Sequence, residues 1–256
     1  MSDVVEVRGF EPLGKVKIAP LGDSGAAVIL GDIISTEIYG RVRALSEYLE
    51  QHPFKGMIEY VPSFSSVAVY YDGLAVLMEH AGKIAPGNEN YPFAVVAEIL
   101  ENILRQVKDA AVRQPRIVNI PVCYGGEGGP DLDYVAEHNG LTPQEVIDIH
   151  TSADYLVYML GFAPGFAYLG GLPERIATPR RQTPRVVIPS GTVGIAGDQT
   201  GVYPIETPGG WQLIGKTPKA LFLPECMPPT LLQAGDIVRF YPITLREFGK
   251  WGEEER

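Results

Sequence analysis

Residues 161–217 read GFAPGFAYLGGLPERIATPRRQTPRVVIPSGTVGIAGDQTGVYPIETPGGWQLIGKT. Glycine belongs where the backbone must turn through positive φ or approach another group closely, and proline where φ must be fixed. Set between short β-branched runs such as Val186-Val187-Ile188 and Val193-Gly194-Ile195, they predict a β-structure with many tight turns. Short strands and turns continue from Ser152 to Ile237-Val238-Arg239-Phe240. That is more strands than one sandwich face needs, and it predicts a closed barrel.

Upstream the periodicity changes. Arg116–Val122 alternates as a strand and Tyr124–Pro130 is a glycine-rich turn. Two short helices are predicted next, Leu132–His138 and Pro143–His150, the second with Thr142 as N-cap and Pro143 in its first position. Lys108–Pro115 is a polar crossover without period and marks a domain junction. Before it, Val16–Pro20 and Ala26–Leu30 flank a tight turn, and Ser35 can cap a helix carrying Ile38, Val42, Leu45 and Leu49 on one face. Met57–Val61 and Val67–Tyr71 form a second strand pair, and Phe93, Val96, Leu100, Ile103 and Val107 mark a second helix. Leu74–Tyr91, with Ala85-Pro86-Gly87-Asn88 inside it, reads as a loop. The fold class is therefore α+β, with a small N-terminal sandwich domain over residues 1–107 and a barrel domain over residues 116–256.

A net charge of −10 argues against a nucleic-acid backbone as partner, since phosphate binding needs a basic surface. No apolar run approaches the ~20 residues of a membrane span, and the N-terminus MSDVVEVRGFEP lacks the apolar core of a signal peptide. The two cysteines, Cys123 and Cys226, have no metal or redox spacing and read as free thiols of a cytoplasmic protein. His52, His80, His138 and His150 show no ligand spacing either, so no metal site is expected.

Within this acidic chain, Arg180, Arg181 and Arg185 form a local cationic patch on an extended, proline-bounded segment. Guanidinium forks suit a carboxylate or phosphate, although pairing with neighbouring acids would explain some of them equally well. The turns around Ser190, Gln199-Thr200, Tyr203 and Pro208–Trp211 offer neutral hydrogen-bonding groups. Phe162, Phe166 and Tyr168 either line a pocket or fill the barrel. His150 is the one histidine placed to be considered for proton transfer. Glu127, Asp131 and Asp133 read as paired carboxylates or, more simply, as a helix cap and its acidic first turn. Spacing identifies no nucleophile–base pair. Gly210–Thr217 matches the P-loop pattern, but its middle residues Trp211, Leu213 and Ile214 are strand-like, Pro218 follows at once, and Leu223-Pro224 leaves no room for a long helix.

Four segments together carry a resemblance: 120–136 (IPVCYGGEGGPDLDYVA), 150–172 (HTSADYLVYMLGFAPGFAYLGGL), 178–218 and 234–240 (AGDIVRF). With weaker agreement at 22–31 and 62–72, the chain resembles the B-subunit family of 5-oxoprolinases, known also as allophanate hydrolase subunit 1 or as a sporulation-kinase inhibitor. Two positions depart from the family pattern: Gly128 replaces a bulky residue and Lys216 replaces Arg. The resemblance implies that the barrel is cyclophilin-like. It implies one component of an ATP-dependent enzyme that opens the lactam 5-oxoproline to glutamate, acting with a C-subunit homologue and a separate A subunit, and inactive alone. ATP is chemically reasonable, because phosphorylating a stable amide oxygen gives water a better electrophile. In that setting Arg180 and Arg185 bind the substrate carboxylate or a phosphate. Ser190, Gln199, Thr200 and Tyr203 position the ring amide, Phe162, Phe166 and Trp211 shape the pocket wall, and His150 transfers protons. The resemblance leaves two other roles open, a non-catalytic inhibitor of a histidine kinase and a carboxyltransferase component of a urea-carboxylating system.

Overall fold

The structure, a computed structural model, describes residues 4–7, 16–80, 91–107 and 115–254. The chain separates into two compact units, Met1–Arg113 and Gln114–Arg256.

In the first unit the apolar stripe Ile38, Val42, Leu45 and Leu49 is buried, which is why Thr36–Gln51 forms a helix, α1. Ser35 caps it by accepting a hydrogen bond from the Ile38 N–H at 3.1 Å. Before α1 come strands β1 (Val5–Val7), β2 (Val16–Pro20) and β3 (Gly25–Ile29), and after it β4 (Met57–Pro62) and β5 (Ser66–Tyr71). They pair antiparallel throughout, in the order β1-β2-β3-β5-β4. Helices α2 (Gly73–His80) and α3 (Pro92–Gln106) follow. Alternate residues of β2, β3 and β5, among them Val16, Ile18, Val28, Val67 and Val69, pack with the α1 and α3 stripes in one core. Of the loop expected over Leu74–Tyr91, the structure corrects residues 74–80, which are helical because Asp72 Oδ1 accepts from the Leu74 and Ala75 N–H groups and starts α2. Ala85–Asn88 and most of the expected crossover, residues 108–114, lie outside the described residues.

The second unit begins with β6 (Ile117–Tyr124), then α4 (Leu132–His138) and α5 (Pro143–Ser152). Strands β7 (Tyr155–Leu160), β8 (Ala167–Gly170), β9 (Arg185–Ile188), β10 (Thr192–Ala196) and β11 (Gln199–Val202) come next. The unit ends with β12 (Thr207–Gly209), β13 (Gln212–Lys216), β14 (Ile237–Pro242) and α6 (Leu245–Glu254). Seven strands close a barrel in the order β10-β11-β8-β7-β14-β6-β13, with β13 paired back to β10. Closure removes the exposed edges an open sheet would leave. β6 and β14 run parallel, while β9 and β12 form a separate two-stranded ribbon. Helix α6 follows Phe240, where the expected run of strands and turns ends and no helix is expected.

Helix α5 starts with a reciprocal capping box: Thr142 Oγ1 accepts from the Glu145 N–H, and the Glu145 carboxylate accepts from the Thr142 N–H. Thr142→Ala is expected to lower stability by about 1 kcal/mol, read as a lower urea midpoint at unchanged slope.

Candidate functional site

Period-2 alternation divides the residues of β10, β11 and β13 between two faces. Val193, Ile195, Val202 and Ile214 point into the barrel core, and Thr200 meets a buried histidine there. Gly194 and Gly201 fall on the opposite, outer face. A Cβ at Gly201 would lie 3.1 Å from the Trp211 ring and 3.4 Å from the Phe166 ring, and one at Gly194 3.2 Å from Trp211 Cβ. The two glycines thus form a platform on which aromatic rings lie. Phe166, Ile188, Tyr203, Trp211 and Leu213 form a small core of their own there, apart from the barrel interior. Phe166 is at its centre, with ring centroids 5.6–5.8 Å from Phe162, Trp211 and Tyr203 in edge-to-face contacts.

Beside this cluster opens a cleft of about 330 Å³. Its walls are Phe162, Phe166, Tyr168, Tyr203 and Trp211, closed by Pro184, Arg180, and Pro208, Gly209 and Gly210 at the end of β12. Burial pushes the Tyr203 phenol up to about 12, so it remains protonated at neutral pH. Phe162 stands at the mouth, 68% exposed, with φ at +63°. Its neighbours form a tight three-residue turn, the Ala163 N–H donating to the Gly161 carbonyl at 2.7 Å. A bulky residue held in the left-handed region and exposed costs on the order of 1 kcal/mol or more, and such strain concentrates at ligand sites. Phe162→Gly is expected to keep or raise the thermal midpoint while weakening ligand binding. A clear loss of stability would instead make Phe162 a packing residue.

The three arginines have different fates. Asp131, 6% exposed, accepts from Arg185 at 2.8 Å and Arg181 at 3.2 Å through Oδ1, and from the Leu213 N–H at 2.7 Å through Oδ2. It occupies the N-cap position of α4, but its side chain makes no cap bond. Arg185 reaches further, to the Trp211 carbonyl at 3.4 Å. Gln212 Nε2 donates to the Pro179 carbonyl, and the Arg181 N–H to the Gly210 carbonyl. Residues 179–185 are thereby pinned on both sides of Arg180. Arg180 itself has no hydrogen bond or ion pair to any described residue and lines the cleft. The cleft is an aromatic slot with one cation that has no partner among the described residues.

The structure therefore brings together Phe162, Phe166, Arg180, Tyr203 and Trp211 and leaves the other candidates elsewhere. Arg185 is committed to Asp131 and the Trp211 carbonyl. Ser190 donates to the Pro204 carbonyl at 2.7 Å, and Gln199 is not among the lining residues. Thr200 and His150 are on the barrel's inner face, both fully buried. Thr200 Oγ1 donates to the Gly194 carbonyl at 3.0 Å, so His150 Nε2 must donate to Thr200 at 2.9 Å. His150 Nδ1 then accepts from the Tyr124 hydroxyl at 2.7 Å. The ring stacks on Phe240, centroids 4.7 Å apart. The proton-transfer role expected for His150 is corrected by this placement: it is a satisfied core histidine without access to the cleft. α5 delivers it inward because the helix buries only Val146 and His150 against the barrel.

Burial lowers His150 from 6.5 to about 3. A folded-state value below the unfolded one means that the unfolded chain binds the extra proton. The stabilising effect is complete above pH 6.5 and falls as pH drops toward 3, by about 1 kcal/mol per pH unit. His150→Phe is expected to flatten that part of the pH–stability curve, measured by urea unfolding between pH 4 and 7 (conditions chosen to span about two units of the transition).

Residues 212–216 of the P-loop-like segment are strand β13, and no helix starts at Lys216-Thr217. The two departures from the family pattern are neighbours: a Cβ at Gly128 would be 2.9 Å from Lys216 Cβ. Cys123 and Cys226 are unbonded, and the described residues hold no cluster of three or more His, Cys, Asp or Glu fit for a metal ion. None of the described helices is long and apolar enough to cross a membrane. Sequence reasoning missed Asp131 as the clamp for two arginines, since nothing in the spacing of residues 131 and 181–185 shows that they meet.

A model of the carboxyltransferase domain, subdomains C and D, matches residues 16–232. The chain is 52% identical over 240 residues to the B subunit of 5-oxoprolinase from Bacillus subtilis (strain 168), covering 94% of this chain and 98% of that protein. It is similar to a solved conserved uncharacterised protein of Pyrococcus horikoshii, at 44% identity and a TM-score of 0.51 over 90% of this chain and 99% of that one. The urea amidolyase of K. lactis shares the fold, with a TM-score of 0.77 at 22% identity over 98% of this chain and 16% of that one.

Proposed function

We propose, from the premise that the chain belongs to the carboxyltransferase-domain family of subdomains C and D, that it is the B subunit of an ATP-dependent 5-oxoprolinase. The complex would convert 5-oxoproline, ATP and water to glutamate, ADP and phosphate in the cytoplasm, with the A subunit and a C-subunit homologue as partners. The barrel is assigned a cyclophilin-like type on the same reading. One observation supports the site: Arg180, unpaired among the described residues, is the cation in a cleft otherwise walled by aromatic rings, Pro184 and residues 208–210.

5-Oxoproline is a small, flat ring bearing one carboxylate, and the cleft matches both parts. The Arg180 fork pairs with the carboxylate, Phe166 and Trp211 pack against the ring, and Phe162 covers the mouth and excludes water. The protonated Tyr203 phenol is a neutral hydrogen-bonding group for the ring amide. The residues that line the cleft include no carboxylate, histidine or cysteine. On this reading the chain binds and orients, and its partners in the complex bring the groups that move protons. ATP supplies activation of the amide oxygen when it is bound in the assembled complex.

Reconstitution with the products of the neighbouring genes, with glutamate release followed with and without ATP, tests the proposal. Turnover that needs ATP and every component is the expected result. Full turnover by this chain alone would overturn it, and so would carboxyl transfer with a biotin-bearing partner in place of lactam opening.

A further inference from the structure

Arg180 also lines a second cleft, of about 500 Å³, whose chemistry differs from the first. Arg180 and Arg181 line it together with Gln182, Thr183, Gln212 and Tyr134, and no carboxylate is among the lining residues. Among the described residues Arg181 gives one guanidinium N–H to Asp131 and leaves the other four without a partner. Gln182 and Thr183 are exposed, and neither makes a side-chain hydrogen bond to a described residue. Two guanidinium forks, an amide and a hydroxyl thus converge on one opening with donors unspent. The three arginines less Asp131 leave a local charge of +2 on a chain whose net charge is −10. In such a field an anion is held where the positive charge is concentrated.

We propose that this polar cleft is a phosphate subsite, and that Arg180 is the wall it shares with the aromatic cleft. A phosphate brings at least three acceptor oxygens and close to two negative charges to the two forks, where a carboxylate brings two oxygens and one charge. The arrangement sets a phosphoryl group on one side of Arg180 and a small carboxylated ring on the other. The juxtaposition rests on the proposed function for the identity of the ring; the phosphate site stands on its own residues. The segment that bears it is held rigid by Asp131 and Gln212, so the donors need little ordering when the ligand arrives.

The test is equilibrium titration of the full chain with inorganic phosphate, with ATP and with 5-oxoproline, at fixed ionic strength. Gln182 lines only the polar cleft, so Gln182→Glu and Gln182→Lys change its charge without touching the aromatic one. The expected result is saturable phosphate binding, weakened about tenfold in Gln182→Glu and tightened in Gln182→Lys, with 5-oxoproline affinity unchanged within about twofold. ATP that competes with phosphate and binds more tightly identifies a nucleotide as the source. ATP that does not compete identifies free phosphate, and either outcome upholds the site. Phosphate affinity indifferent to the charge at position 182, or no saturation up to about 20 mM, would overturn it. Phosphate binding without 5-oxoproline binding would count against the proposed function and leave the phosphate site intact.

Discussion

Arg180→Ala is expected to cut kcat/KM of the reconstituted complex about a hundredfold while moving the thermal midpoint of the chain by no more than about a degree. A charge-assisted hydrogen bond to a ligand carboxylate contributes about 1.5–3 kcal/mol, and a hundredfold change corresponds to about 2.7 kcal/mol. The fold should not notice, because Arg180 bonds to no described residue. Arg180→Lys keeps the charge and loses the planar fork, so it should recover only part of the activity. Arg185→Ala is the contrasting variant. It removes a partner of buried Asp131, and its first effect should be on stability. If Arg180→Ala unfolded the chain and Arg185→Ala silenced it without structural cost, the roles assigned to the two arginines would be reversed.

Asp131→Ala should destabilise the second unit more than any of the other substitutions, by about 3 kcal/mol. It leaves the Leu213 N–H of β13 without an acceptor and two guanidiniums without their counter-charge. Arg181 and Arg185 retain 38% and 24% side-chain exposure, so water offsets part of the loss and the figure belongs at the lower end for a broken buried pair. The thermal midpoint should fall by roughly 6–12 °C. Asp131→Asn keeps an acceptor for Leu213 and should cost less than the alanine variant. Turnover of whatever remains folded should drop too, because residues 179–185 lose the anchor that Asp131 gives Arg181 and Arg185. A change under about 1 kcal/mol would show that the clamp is ornamental to the fold.

Much of this architecture is legible in the amino-acid order because short-range physics dictates it. The stripe from Ile38 to Leu49, the Ser35 cap and the Thr142 box each need only a few adjacent residues, and the structure forms α1 and α5 from them. The turn-punctuated run after Ser152 likewise announces the barrel. The helices α2 and α6 are hidden for opposite reasons. Gly73–His80 is apolar over most of its eight residues and shows no polar face, while Leu245–Glu254 follows a long run of strands and is rich in charge. The site is half visible. Composition points to aromatics and arginines, but it cannot say which arginine stays unpaired. That depends on Asp131, about fifty residues away in sequence and brought close only by β13. His150 and Thr200 are misassigned from sequence because one strand position decides which face a side chain occupies. The even positions of β11 face the barrel interior, and α5 fills that interior with an imidazole.

Trp211 reports on the aromatic cleft, and the only other tryptophan, Trp251, is in α6. The most direct measurement is therefore Trp211 fluorescence in a Trp251→Phe background, titrated with 5-oxoproline in the assembled complex and repeated with Arg180→Ala. A saturable change that disappears with the arginine is the predicted result. An equal response from both proteins, or none from either, would contradict the assignment of this cleft as the place where the ligand carboxylate meets its cation.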